Sequence, residues 1–147
     1  MKICSITAQD REEFLAMCSD FYSGDAAIHP ISRESMLRTF EEALAGNPFL
    51  RIVVFRLEND TAGYCQLSVT YSSEAGGLTV LVEEVYVKPD YQGRGIGSSF
   101  FAWLFEEYPQ AKRFRLEVCE KNPGAERLYR RLGFVPLEYR QMILERP

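Results

Sequence analysis

Two adjacent carboxylates, Glu83 and Glu84, stand in an apolar run that leads directly into Lys88-Pro89-Asp90-Tyr91-Gln92-Gly93-Arg94-Gly95-Ile96-Gly97. Carboxylates can bind a cationic group and take its proton, and a glycine-rich loop opening a helix can hold a phosphate. The order of strand, proline-stopped turn, glycine loop and helix aims several backbone N–H groups at one point, with the positive helix end behind them. A pyrophosphate suits that point. Gly93, Gly95 and Gly97 lack Cβ, so the chain can turn tightly and a bulky anion can approach the backbone. Ile96, Phe100, Leu104 and Phe105 recur at near-helical spacing, which predicts a helix beginning around Gly95 to Gly97. Its earliest N–H groups have no partner inside the helix, and Arg94 adds a planar cation suited to phosphate oxygens. Strand alternation puts Glu83 and Glu84 on opposite faces unless a bulge intervenes, so one of the two is expected to face the site.

Other phosphate motifs do not fit. A dinucleotide fingerprint needs a third glycine three residues after the second, and Phe100 stands three residues after Gly97. That fingerprint also belongs to the first strand–helix unit of its fold, whereas this loop lies past the middle of the chain. A P-loop needs Gly-Lys followed by Ser or Thr, which the sequence lacks.

A second block lies farther on, Asn122-Pro123-Gly124-Ala125-Glu126-Arg127-Leu128-Tyr129-Arg130-Arg131-Leu132-Gly133-Phe134. Ala125, Leu128, Tyr129 and Leu132 fall at i, i+3, i+4 and i+7, so Tyr129 points inward with the core. From spacing alone it reads as a buried tyrosine whose hydroxyl meets a carbonyl. This block resembles the Asn-x-x-Ala-x-x-Leu-Tyr-x-x-x-Gly-Phe segment of the GNAT superfamily of acyl-CoA-dependent N-acetyltransferases, and Gln92 to Gly97 resembles that family's Gln/Arg-x-x-Gly-x-Gly/Ala loop. The match runs from about Leu78 to Phe134, and Leu81 to Val87 looks most like the spermidine/spermine and thialysine acetyltransferase branch.

The resemblance implies acetyl-CoA as co-substrate, bound where two central strands splay apart, with a bulge in the first of them. Backbone from Val85, Tyr86 and Val87 would pair with the pantetheine and could donate an N–H to the developing oxyanion. Gln92, Gly93, Arg94, Gly95, Ile96, Gly97 and Ser98 would hold the pyrophosphate, Asn122 would contact the pantetheine arm, and Arg130 would reach an outer phosphate. Tyr129 matches the tyrosine that points at the CoA sulfur as general acid, and the polyamine-acetylating branch maps its base to Glu83, leaving Glu84 as structural or substrate-binding. A phenol near pKa 10 giving its proton to a thiolate near 8.5 is uphill by roughly 2 kcal/mol, so Tyr129 can stabilise the thiolate by hydrogen bonding before, or instead of, full transfer. An alkylamine of pKa about 10.4 is mostly charged at pH 7, and freeing its lone pair costs roughly 4.6 kcal/mol, which a carboxylate can ease.

The elements that must position these residues follow an α/β order. Lys2 to Thr7 reads as a strand, and Thr7 with Asp10 resembles a capping box opening a helix to about Tyr22. Ser32 caps a second helix that Gly46 ends. Leu50 to Leu57 and Ala62 to Thr70 form a hairpin across Asn59-Asp60. Gly76-Gly77 turns into a strand from Leu78 to Val87, and the long helix that follows the glycine loop stops at Pro109. Phe114 to Val118 is a strand, Asn122 and Pro123 start a helix that Gly133 closes, and Phe134 to Leu144 supplies terminal strand material. The expected class is α/β (α+β), one GNAT domain over residues 1–147. Its mixed, mostly antiparallel sheet would have about seven strands, with helices on both faces.

Composition narrows the function classes. A net charge of −4 argues against general nucleic-acid binding and permits a cationic substrate. No apolar run approaches the roughly 20 residues of a membrane span, and the early charges Asp10 to Glu13 leave no evident secretory signal. Cys4, Cys18, Cys65 and Cys119 are scattered and His29 is the sole histidine, so no metal site is expected and the cysteines suit a reducing, cytoplasmic setting. Cys119 is the only covalent rival to direct attack by the amine, and no activator stands near it in sequence. The expected partner is a small-molecule amine, and a homodimer is compatible with the sequence. A non-catalytic acyl-CoA sensor, an interaction subunit, and a protein lysine or N-terminal acetyltransferase stay open as alternatives. Phe21 to Ile31 and Tyr71 to Gly77 are the expected substrate-facing segments, where Asp25 and His29-Pro30 either line the site or shape a loop.

Overall fold

Branched and aromatic residues in alternation build the centre of the molecule. In the structure, a computed structural model describing residues 1–147, β2 (Leu50–Leu57) and β3 (Asp60–Ser72) form the long hairpin that organises the sheet. Ile52 and Val54 face one side while Val53 and Phe55 face the other, and all four are fully buried, so β2 is covered on both faces. The tight turn is Glu58-Asn59, one residue earlier than expected. Glu58 takes the positive φ of 54° that such a turn demands, which leaves Asp60 free to pair with Leu57.

Around the hairpin stand β1 (Lys2–Ser5), β4 (Gly77–Val87) and β5 (Arg113–Leu116), in the spatial order β1-β2-β3-β4-β5. Every pairing is antiparallel except β4 with β5. That one parallel pair needs a crossover, which α3 (Ile96–Glu107) supplies. The sheet is mixed and mostly antiparallel as expected, but it has five strands rather than about seven. Phe134 to Leu144 forms no strand: Pro136 removes a donor near its start, and Gln141 reaches the β5 side through its side chain, with Nε2 donating to Glu117 Oε1 at 2.7 Å.

Helices cover both faces. Phe14 of α1 (Arg11–Ser23) and Phe40 of α2 (Arg33–Leu44) pack on Ile52, Val54 and Tyr64. Phe100, Phe101 and Leu104 of α3, with Tyr129 of α4 (Pro123–Arg131), pack on Val53, Phe55, Leu67 and Val80. Ser32 Oγ accepts the Ser35 N–H at 3.1 Å, the cap expected for α2. No helix is long and apolar enough to cross a membrane.

Candidate active site

β5 ends too soon to cover β4. Thr79 to Val82 pair with Arg113 to Leu116, and beyond Val82 the strand β4 has no partner on that side. The gap opens a cleft of about 380 Å³ whose walls come from β4, the chain after β5, α4 and the loop between α1 and α2.

The bulge that the family resemblance implied lies at this opening. Gln66 pairs with Glu84 and Leu67 with Val82, so Glu83 is the extra residue of β4. It switches the phase of the strand: Val80 and Val82 pack on the α3 side before it, and Val85 and Val87 pack there after it. Glu83 and Glu84 consequently lie on the same face, toward α1, where alternation alone would separate them. Ser68 Oγ donates to Glu83 Oε1 at 2.6 Å, and the exposed Glu83 lines the cleft. Glu84 is only 5% exposed and its carboxylate accepts from the Tyr22 hydroxyl at 2.6 Å, from the Tyr64 hydroxyl, and from Cys18 Sγ at 3.8 Å. Burial drives the Glu84 pKa upward, the Tyr22 and Tyr64 donors oppose it, and the neighbouring Glu83 charge adds to the rise; the net direction is up.

Tyr129 enters the same cleft from the other face of the sheet. Its ring is held edge-on by Phe101 at 5.7 Å and Phe134 at 6.1 Å between centroids, and its hydroxyl has no hydrogen-bond partner in the protein. Burial pushes its pKa up to about 12. The gap between β4 and β5 thus joins a carboxylate on one side of the sheet to a phenol on the other.

The glycine loop continues from the end of β4. Gly93 and Gly95 have φ of 74° and 79°, a conformation costly for other residues, and Gly95 is the N-cap of α3. The first bond of α3 runs from Ser99 N to Gly95 O, so the N–H groups of Ile96, Gly97 and Ser98 have no intrahelical acceptor. Gly97 also has a packing role: a Cβ there would meet Leu128 Cδ2 at 2.9 Å, so the glycine permits close packing of α3 on α4. The exposed Arg94 guanidinium lies 5.2 Å from the centre of the Tyr91 ring, and Gln92 Nε2 donates to Val87 O at 3.0 Å. Lys88 N donates to Ala62 O at 2.8 Å, so by ladder alternation the backbone groups of Val85 and Val87 face the vacated side of β4 and those of Tyr86 face β3. These free N–H groups, the open strand edge and the positive-φ glycines form a cradle that fits a pyrophosphate and a pantetheine arm.

Other expected residues are distributed unevenly. Asn122 lines the cleft, and its Oδ1 caps α4 by accepting the Ala125 N–H at 3.2 Å. Arg130 is exposed and paired with Glu126 at 2.7 Å. Tyr86 turns its hydroxyl to Asp20 on the α1 side. His29 joins the cleft wall, whereas Asp25 and Pro30 do not. None of Tyr71 to Gly77 lines the cleft: the segment forms the far end of the β3–β4 hairpin, where Lys112 N donates to Leu78 O at 2.8 Å. Cys119 also lines the cleft, with its Sγ donating to Ala26 O at 3.3 Å. Sequence reasoning placed Tyr22 only within the Phe21 to Ile31 segment and did not single it out, and it missed Glu117. Phe14, Cys18 and Tyr22 stand four residues apart along α1, a row whose first two members are buried, and that row was the available signal for Tyr22.

Comparison with known proteins agrees with this geometry. The acetyltransferase (GNAT) family model matches residues 12–134. The thialysine N-epsilon-acetyltransferase of Sus scrofa is 32% identical over 108 residues, 63% of this chain and 63% of that protein. A Bacillus subtilis (strain 168) protein provisionally described as a [ribosomal protein bS18]-alanine N-acetyltransferase is 27% identical over 100 residues, 67% of this chain and 62% of that one. The chain therefore spans less than two thirds of the length of these curated relatives. An aminoglycoside N-acetyltransferase solved with CoA shares the fold at a TM-score of 0.77 and 16% identity, covering 99% of this chain and 95% of that one.

Proposed function

The chain belongs to the acetyltransferase (GNAT) family, and on that premise we propose that it transfers the acetyl group of acetyl-CoA to a primary amine by direct attack. The observation that carries this reading is the meeting of Glu83 and Tyr129 in one cleft, reached from opposite faces of the sheet through the gap beside the glycine loop. Acetyl-CoA supplies an activated acyl group, and the chain's own residues bind it, free the amine and steady the departing sulfur.

The wall charges favour a cationic acceptor. Glu83 and Glu117 are the charged side chains lining the cleft, and no lysine or arginine lines it. Glu83 holds the ammonium and takes its proton, directly or through water, against a cost of roughly 4.6 kcal/mol at pH 7. Ser68 fixes one of its oxygens. The outward N–H of Val85 or Val87 supports the oxyanion. With Tyr129 pushed up to about 12, complete proton transfer to a thiolate near 8.5 is uphill by about 5 kcal/mol, so its hydroxyl acts by donating a hydrogen bond. The loop from Gln92 to Ser98 carries the pyrophosphate and Asn122 the pantetheine arm. The substrate class follows from the relatives' chemistry and the acidic wall: an alkyl or peptide amine, with its finer identity set by the Phe21 to Ile31 loop.

Thermal melting and turnover test this together. Acetyl-CoA at about 100 times its dissociation constant stabilises by about 2.7 kcal/mol, a rise of roughly 5–10 °C for a domain of this size. NAD and ATP at the same concentration should do much less, and equal shifts from all three would sink the reading. Tyr129→Phe should preserve that shift and lower turnover by about 10- to 10,000-fold. Unchanged turnover would remove Tyr129 from the chemistry.

A further inference from the structure

We propose that Tyr22 is a proton conduit from the cleft into the buried carboxylate of Glu84, giving the reaction a second proton acceptor behind Glu83. The inference rests on the acetyl-transfer reading above and deepens it. Tyr22 lines the cleft, and its hydroxyl donates to Glu84 Oε1 at 2.6 Å. The bulge at Glu83 brings Glu84 to this face of the sheet, so Glu83 lines the cleft directly and the buried Glu84 lies behind Tyr22.

The surroundings of Glu84 suit an acid that changes charge. Tyr22 and Cys18 face it from α1, Tyr64 from β3 and Glu83 from β4; no Lys, Arg or His is bonded to it. Gln66 is its partner across the ladder and points to the same face, and Gln66 Oε1 is buried without a hydrogen-bond partner. Burial holds the Glu84 pKa above the ordinary carboxylate value, which narrows its gap to an alkylamine.

The step balances without another reactant. The substrate ammonium gives a proton to Tyr22 Oη while the Tyr22 hydroxyl proton passes to Glu84 Oε1, and the amine keeps the lone pair. Tyr22 starts and ends as a neutral phenol. Burial and the Glu84 hydrogen bond raise its own pKa, so a phenolate is avoided and transfer through it is concerted. After acyl transfer the remaining proton on the nitrogen passes to the departing thiolate, and Glu84 releases its own proton through Tyr22 to water in the cleft.

Propylamine, lysine and an alanine-terminated peptide serve as acceptors with acetyl-CoA, and the one turned over fastest carries the pH series. Tyr22→Phe and Glu84→Gln should each lower kcat/KM by about 10- to 100-fold near pH 7, with the deficit shrinking toward pH 10 as the amine frees itself. The double variant should be no worse than Glu84→Gln alone, because the two act as one path. The melting shift with acetyl-CoA should persist in both. A deficit equal at every pH, additive losses, or full activity in Tyr22→Phe would overturn the conduit while leaving acetyl transfer intact. Tyr22→Phe keeps the ring, so it decides the matter if Glu84→Gln fails to fold. No turnover of any acceptor by the wild type would overturn acetyl transfer, and the conduit with it.

Discussion

Two carboxylates in this molecule are each 5% exposed, and their partners could hardly differ more. Asp10, at the start of α1, accepts the Thr7 N–H at 2.8 Å and the Thr7 hydroxyl at 3.0 Å, and it is ion-paired with Arg56. Glu84, at the bulge of β4, has two phenols and a thiol and no cation. Burial pushes the pKa of both upward. At Asp10 the Thr7 N–H and the Arg56 guanidinium outweigh it and hold the acid below its ordinary value; at Glu84 the tyrosines do not. An acid whose charge is matched by a fixed cation holds two elements together. An acid left without one, beside a cleft, is poised to gain and lose a proton.

The largest separation should appear in stability. Asp10→Ala removes the acceptor of the Thr7 N–H and hydroxyl and leaves Arg56, itself tied to Thr61, without its buried carboxylate partner. A loss of about 2–4 kcal/mol is expected from chemical denaturation, with the acetyl-CoA affinity of the folded protein unchanged. Glu84→Gln should cost less than about 1 kcal/mol at pH 7, since an amide relieves an unmatched buried charge. A silent Asp10→Ala beside a crippling Glu84→Gln would invert the comparison.

The sequence made one of these acids legible and hid the other's company. Thr7 and Asp10 stand at capping distance, so Asp10 announces its local role, although its long-range pair with Arg56 does not. The two blocks around Gly95 and Tyr129 carried the site because each is a short local pattern. The bulge was invisible in the residues of β4, since it depends on how β3 registers against it, and only the family resemblance pointed to it. Tyr22, Tyr64 and Cys18 meet Glu84 across sequence separations of 62, 20 and 66 residues, contacts that no local pattern encodes. The same reasoning explains the overcounted strands: Phe134 to Leu144 has strand-forming residues, and what it lacks is a ladder partner.

The pH dependence of stability should separate the two acids by sign. Asp10 titrates below its ordinary 3.8 in the fold, so its contribution is present above 3.8 and lost as pH falls through the folded value. Glu84 titrates above its ordinary 4.5, so its contribution is full below 4.5 and lost as pH rises through the folded value. Urea midpoints measured from about pH 3 to 8 should therefore lose their acid-side fall in Asp10→Asn and gain on the neutral side in Glu84→Gln. Parallel curves for the two variants would erase the distinction.

The finest contrast lies within the carboxylate pair itself. Glu83 is exposed and Glu84 buried, and the one protein group that orients Glu83 is the Ser68 hydroxyl at 2.6 Å. Ser68→Ala removes that donor and leaves the Glu84 cluster intact, because Ser68 touches none of its members. A hydrogen bond at a solvent-exposed carboxylate contributes about 0.5–1.5 kcal/mol, so kcat/KM for the best amine should fall about two- to tenfold. The melting temperature should hardly move. If Glu83 binds the ammonium before it takes the proton, the loss should fall mainly on KM for the amine and leave that for acetyl-CoA alone. A loss confined to the acetyl-CoA KM would instead place Ser68 with the cofactor cradle, and would separate Glu83 from the acceptor side of the cleft.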